Sequence, residues 1–251
     1  MKRTMGMLMA AVLAGCASHG EATGPAGSLA GLEVHDRTEG KRLQVHWHDG
    51  KAYVAGKPGN EYRVTVRSRV GGEDLLAVVS VDGVNVLSGQ TADPSQGGYV
   101  LAPRSSVDIL GWRKSLSQTA AFYFTALPDS YAARTGRPHD VGAIGVALFR
   151  RKMAPTPVAP GPATGASSDM ARGAPAQAEQ SAKIGTGHGR HEASYVRWTA
   201  FERATDTPAE VLTLYYDSRA NLVARGVIRE TVPVAPLPRP FPGFVPDPPR
   251  S

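Results

Sequence analysis

The sequence predicts an all-β protein, an antiparallel β-sandwich with one short helix near the C-terminal end of its domain. Three observations carry that expectation. From Leu32 onward the apolar residues come in short runs separated by Gly, Asp, Asn and Pro, the texture of strands joined by turns. Residues 62–70 alternate, with Tyr62, Val64, Val66 and Val70 on one face and Arg63, Thr65, Arg67 and Arg69 on the other, so one face packs and the other is wet. Asp82-Gly83 separates residues 75–81 from 84–87. Asp-Gly between two β-rich runs marks a tight hairpin, because both turn residues tolerate positive φ.

The other elements follow in order. Strands are expected over 43–48, 52–55, 106–112, 120–126 and 143–150. Residues 75–81 are too continuously apolar for a half-exposed strand and belong in the middle of a sheet. In 143–150, Ile144, Val146 and Leu148 alternate with Ala143, Gly145 and Ala147. Small residues on that second face predict a neighbour that approaches closely. Residues 130–134 read as one helical turn after Pro128, and 194–202 and 209–216 as two further strands. Thr207-Pro208-Ala209-Glu210 also suits a helix capping box, but the β-branched and aromatic run from Val211 to Tyr216 favours strand. Residues 218–224 form a short helix stopped by Gly226.

Composition divides the chain further. Residues 16–30 are rich in Gly, Ala and Ser and read as a flexible tether. Residues 153–183 hold scattered prolines among alanines with no alternation to bury, and are expected to be disordered. Residues 184–230 are too few to bury a core alone without disulfide or metal. They are therefore expected to complete one discontinuous sandwich, 31–152 with 184–230. The tail, 231–251, carries eight prolines; it suits either a polyproline strip for an aromatic groove or a solvated spacer.

At the start of the chain, Met1-Lys2-Arg3 is basic, residues 5–15 are uncharged and apolar, and Leu13-Ala14-Gly15-Cys16 follows, with the only cysteine of the sequence. That run is too short for a membrane span. This order resembles the leader of bacterial lipoproteins. The resemblance implies that residues 1–15 are a signal peptide, that Cys16 is the lipidation site, and that the chain is held to a membrane. Ala17 in place of an aspartate points, within that resemblance, to the outer membrane facing the periplasm. A cleaved signal peptide with an incidental cysteine is the alternative. Loss of Lys2 and Arg3 lowers the formal charge from +6 to +4, carried by scattered arginines. With no basic stripe interleaved with aromatics, nucleic acid is not an expected partner. Acylation of Cys16 would leave no thiol, so the body must be held by its own core.

Candidates for chemistry are few. Gly185-Thr186-Gly187-His188-Gly189-Arg190-His191-Glu192 reads as a Gly-rich loop leading into the 194–202 strand. His188, His191 and Glu192 are the candidate metal ligands, although their spacing departs from the zinc-protease pattern. His46 and His48 share a strand face, which can chelate but lacks a third ligand nearby. In the loop at His139-Asp140 the aspartate can orient the imidazole. Ser80 lies inside an expected buried strand, with no nucleophile elbow around it. Asp82, Asp93, Asp108 and Asp129 read chiefly as turn residues. No catalytic residue and no cofactor is assigned.

Residues 78–86, 111–114 and 126–138, the last running Ala126-Leu127-Pro128-Asp129-Ser130-Tyr131 through Gly136-Arg137-Pro138, resemble an uncharacterised family of exported proteobacterial proteins. The resemblance would cover residues 60–230 and implies an exported β-rich domain with no activity attached. The expectation is thus a lipid-anchored envelope protein, a non-catalytic binding or structural β-domain with an envelope protein as a possible partner. The competing expectation is a periplasm-facing metal-dependent enzyme or hydrolase using His188, His191 and Glu192.

Overall fold

The computed structural model describes residues 24–153 and 183–229. The leader with Cys16, residues 154–182 and the Pro-rich tail lie outside them. Two seven-stranded sheets face each other across the core. The first holds β1 (Ala30–Asp36), β2 (Lys41–Arg42), β5 (Glu61–Ser68), β9 (Ser106–Ile109), β10 (Gly111–Arg113), β11 (Gln118–Ala126) and β13 (Ile184–Ala193). The second holds β3 (Val45–His48), β4 (Lys51–Gly56), β6 (Leu75–Val81), β7 (Val84–Asn85), β8 (Tyr99–Leu101), β12 (Ala143–Arg150) and β14 (Glu210–Ser218). Pairing is antiparallel except between β4 and β14, which run parallel.

The apolar face of β5 packs as expected, whereas Thr65 on the face expected to be wet is buried under its bond to Asp108, and Val70 lies beyond the strand. Tyr62, Val64 and Val66 are buried, and Tyr62 stacks on Phe124 with ring centroids 4.3 Å apart. Phe122 and Trp112 extend that aromatic cluster, the latter edge-on at 5.1 Å. β6 occupies a central place between β12 and β7, with β8 along the rest of its edge. At the hairpin, Asp82 and Gly83 have φ of 53° and 70°, the signs that a two-residue turn of this hand requires. Two short helices form where their caps predict. Ser130 accepts from the Ala133 N–H at the start of α1 (Tyr131–Arg134), and Ser218 accepts from the Asn221 N–H at the start of α2 (Arg219–Ala224). Gly226 follows α2 with φ 72°.

Two segments exchange roles relative to the sequence expectation. The glycine-rich stretch is not a loop: it is β13, paired with β11 along nearly its whole length. The expected strand over 194–202 is not a strand, and only its first residues run extended beside the turn between β10 and β11. The reason lies in the neighbours. A Cβ at Gly187 would stand 2.2 Å from the Tyr123 ring, and one at Gly185 2.6 Å from Ser130 Cβ. Only residues without side chains let β13 lie that close, and the Tyr123 ring then covers the strand in place of the missing side chains. Residues 194–202 begin where β11 ends, since Ala193 already pairs with Gln118, and on that side they meet only the turn before that strand.

The second segment of the chain adds β13 to one sheet and β14 to the other. Of the tether expected over 16–30, residues 24–30 are described, and they pack on the body. Leu29 and Ala30 are buried, and the backbone N–H groups of Ser28 and Leu29 donate to the Glu210 carboxylate at 2.7 and 2.9 Å. Among the described residues no helix is long and apolar enough to cross a membrane.

Candidate functional site

The outer face of the second sheet is covered at both ends and open in the middle. At one end Phe201 packs against Leu76, Val78, Ala147 and Phe149. At the other, α2 and the turn after it set Leu222, Val227 and Ile228 on Tyr53. Between them β6, β12 and β14 present Ser80, Gly145 and Thr213, and these line a cleft of about 490 Å³. The small second face of β12 is thereby used twice. Ala147 receives Phe201, as a closely approaching neighbour requires, while Ala143 and Gly145 line the cleft. A side chain at Gly145 would press on Ser80 Oγ at 2.8 Å.

One wall is aromatic. Tyr53 and Tyr215 lie side by side with centroids 5.5 Å apart, held in the parallel register of β4 and β14. Arg225 lies over the Tyr53 ring at 5.2 Å and Lys51 over the Tyr215 ring at 5.8 Å, so each ring carries a cation. Asp217 is already engaged: its carboxylate accepts from the Ser218 N–H at 2.7 Å and from Asn221 Nδ2 at 2.8 Å. The opposite wall is the turn Pro138–Asp140 and the loop after it, where His139 and Asp140 both line the cleft, together with Lys183. The cleft therefore offers hydroxyls, an aromatic wall and three cations against two carboxylates.

Behind that wall sits a buried acid. Asp82 has no exposed surface. Its Oδ1 accepts from the Tyr216 hydroxyl at 2.5 Å and the Gly142 N–H at 2.9 Å, and its Oδ2 from the Thr186 N–H at 2.8 Å. Thr186 Oγ1 continues the network to the hydroxyls of Tyr216 at 2.7 Å and Tyr62 at 2.5 Å. Burial pushes the Asp82 carboxyl up to about 6, against the pull of Tyr216 and the backbone donors. The acid thus pins the hairpin, the loop at Gly142 and β13 to one another. Its turn geometry was legible in Asp-Gly; its role as a buried acceptor was not, because the donors come from residues 60 to 134 positions away.

The histidine pair lies elsewhere. His188 and His191 are three apart, a spacing that puts alternate strand residues on opposite faces. A register shift of β13 against β11 between Ala120 and Phe122 corrects for this, as a β-bulge does. The imidazoles come to 5.9 Å centroid to centroid, with Tyr131 stacked on His188 at 5.8 Å. Glu192 does not join them. Arg37 grips its carboxylate with Nη1 and Nη2, each at 2.7 Å, and Arg190 adds a contact at 3.1 Å. Burial first, and then Lys114, His191 and Arg134, hold the His188 imidazole below its ordinary value. A cation placed there would meet Lys114 and Arg134. Among the described residues no group of three or more His, Cys, Asp or Glu is placed to hold a metal ion.

The other sequence candidates disperse. His46 and His48 share the outer face of β3, and His48 approaches Asp49 at 3.3 Å. Asp108 accepts from Thr65 Oγ1 at 2.7 Å, and Asp93 from the Ser95 N–H at 2.7 Å; Asp129 closes a short turn, Leu127–Asp129. Ser80 is half-buried at the cleft rather than sealed in the core, and among the described residues no imidazole is hydrogen-bonded to it. No known protein family, curated protein or solved structure matches the chain.

Proposed function

We propose that the protein is a lipid-anchored component of the cell envelope, attached through Cys16 and facing the periplasm from the outer membrane, whose β-sandwich binds a ligand without transforming it. The leader order, basic then apolar then Leu-Ala-Gly-Cys, supports the anchor. The observation that carries binding is the open stretch of sheet between Phe201 and α2, where strand residues are small and an aromatic wall carries two cations. Such a concave surface with a few polar groups suits recognition. Against catalysis stands the state of the acids around it among the described residues: Asp82 is sealed behind Tyr216, Asp217 is held by its own helix cap, and Asp140, the other lining carboxylate, makes no hydrogen bond to His139 beside it.

Photo-crosslinking in intact cells tests this reading. A photoreactive residue at Thr213, in the cleft, is expected to capture an envelope component that the same residue at Ser106, on the first sheet, does not. Equal patterns at the two positions would overturn the cleft as the binding surface. The anchor has its own test, since labelled palmitate should enter the wild type and be absent from Cys16→Ser. The competing metal-dependent reading predicts zinc uptake in equilibrium dialysis that a His188→Ala/His191→Ala double variant loses; equal uptake removes it.

A further inference from the structure

Beyond β13 the chain crosses the edge of the sandwich as a strip fixed at both ends. At its start, the N–H groups of Ser194 and Val196 donate to the carbonyls of Ser117 and Leu116 at 2.9 and 2.8 Å, and Arg113 Nη2 donates to Ser194 Oγ at 3.1 Å. At its end, Phe201 is packed on the second sheet, and Arg203 lies 4.0 Å over the Phe149 ring while donating to the carbonyls of Pro94, Ser95 and Gln96. A segment so fastened has little freedom to turn its side chains inward. Yet Tyr195 is 82% exposed and Trp198 88%, and Leu116, beside them in the adjoining turn, is 46% exposed. These rings take no share in the core.

Charge around the strip is one-sided. Arg197 stands exposed between the two aromatics, and Lys114 is exposed at the start of the adjoining turn. The two glutamates of the neighbourhood are neutralised, Glu192 by Arg37 and Arg190 and Glu202 by Lys152. Tyr and Trp with an apolar body and a polar tip partition to the headgroup level of a bilayer, and basic side chains beside them gain from anionic lipid.

We infer that residues 195–198, with Leu116 and Lys114, form an interfacial contact with an anionic lipid surface: Trp198 and Tyr195 enter at headgroup depth while Arg197 and Lys114 meet phosphates. A stable protein partner needs roughly 800 Å² per side with a packed apolar centre, whereas here two rings stand three residues apart on an extended strip. A membrane takes up such rings singly. The contact does not depend on the cleft or on acylation of Cys16, and it would orient the body rather than hold it.

Tryptophan quenching tests the contact. The full-length chain carrying Trp47→Phe, which leaves buried Trp112 and exposed Trp198, is reconstituted with vesicles of phosphatidylglycerol brominated on the acyl chains. Trp198 emission is expected to shift to the blue and to be quenched. Both effects should vanish when Trp198→Phe is added and weaken in Arg197→Glu and in phosphatidylcholine vesicles. Emission unchanged by the brominated anionic vesicles, with the protein co-sedimenting with them, overturns the proposal. So does a photoreactive residue at position 198 that captures a protein in cells and no lipid. Palmitate labelling of Cys16 is read separately, so failure of the anchor and failure of this contact are distinguishable.

Discussion

Two adjacent segments, β13 and residues 194–202, hold opposite shares of the fold relative to their composition. The first has glycine at 185, 187 and 189 and pairs with β11 along nearly its whole length; the second has Tyr195, Val196, Trp198 and Phe201 and pairs with no sheet, the next bridge coming at Arg203 with Arg151. Propensity is a statement about fitting a pleated, half-buried surface. β13 fits because what lies over it fills the space its own side chains lack. The strip beyond it has the residues of a strand and no edge to join. The difference between them should therefore be measurable as stability, large on one side and small on the other.

The largest effect belongs to the acid that fastens β13 from within. Asp82→Ala leaves the Thr186 N–H, the Gly142 N–H and the Tyr216 hydroxyl without their acceptor, and unsatisfied buried donors cost about 1–3 kcal/mol each. Allowing for relaxation, a loss of about 4 kcal/mol is expected in denaturant titration. The same carboxyl predicts a pH dependence. Its folded-state value, about 6, lies above the ordinary 3.8, so the folded state holds the proton more tightly. The contribution is full below pH 3.8 and is lost as pH rises through about 6, a fall of about 3 kcal/mol. Wild type minus Asp82→Ala, measured at pH 4 and pH 7, isolates it. A difference that grows toward neutral pH would contradict the burial of this acid.

Next in size is the strand's own spacing. Gly185→Val brings a side chain against Ser130 and Val141, both fixed by their neighbours, and overpacking of this kind costs about 1–3 kcal/mol. Gly187→Ala should cost less, because the half-buried Tyr123 ring can swing toward water. Thermal unfolding of the pair gives the ordering, and a Gly187 variant worse than the Gly185 one would show that the ring, not the core, holds β13.

These effects also mark how far the sequence could be read. The apolar face of Tyr62, Val64 and Val66, the unbroken run of β6, the Asp-Gly hairpin and the cap of α2 each state a local requirement, and each is met in place. β13 was illegible because glycines carry no periodicity, and the ring that compensates for them sits on β11. The cleft was illegible for a different reason: Lys51, Ser80, Thr213 and Arg225 meet only through sheet order and the parallel pairing of β4 with β14. One trace of it was visible, the small face of β12, which announced close approach without saying that half of it would stay open. Likewise His188 and His191 come together through a register shift that no spacing rule contains, while Glu192 beside them goes to Arg37.

On the far side of the comparison the strip should yield little. Its fastening is worth something: Arg203→Ala removes three bonds to backbone carbonyls and a cation over Phe149, and about 1–2 kcal/mol is expected from charge-assisted bonds at a partly exposed site. Its aromatics are another matter. Tyr195 and Trp198 bury almost nothing, and exposed substitutions away from caps, turns and cores stay within about 0.5 kcal/mol. The double variant Tyr195→Ser/Trp198→Ser is therefore expected to unfold at the wild-type denaturant midpoint. A midpoint lowered by more than that would mean the rings fold back onto the sandwich in solution. An unchanged midpoint separates what the strip contributes to the fold, which ends at Phe201 and Arg203, from what its outward face is free to touch.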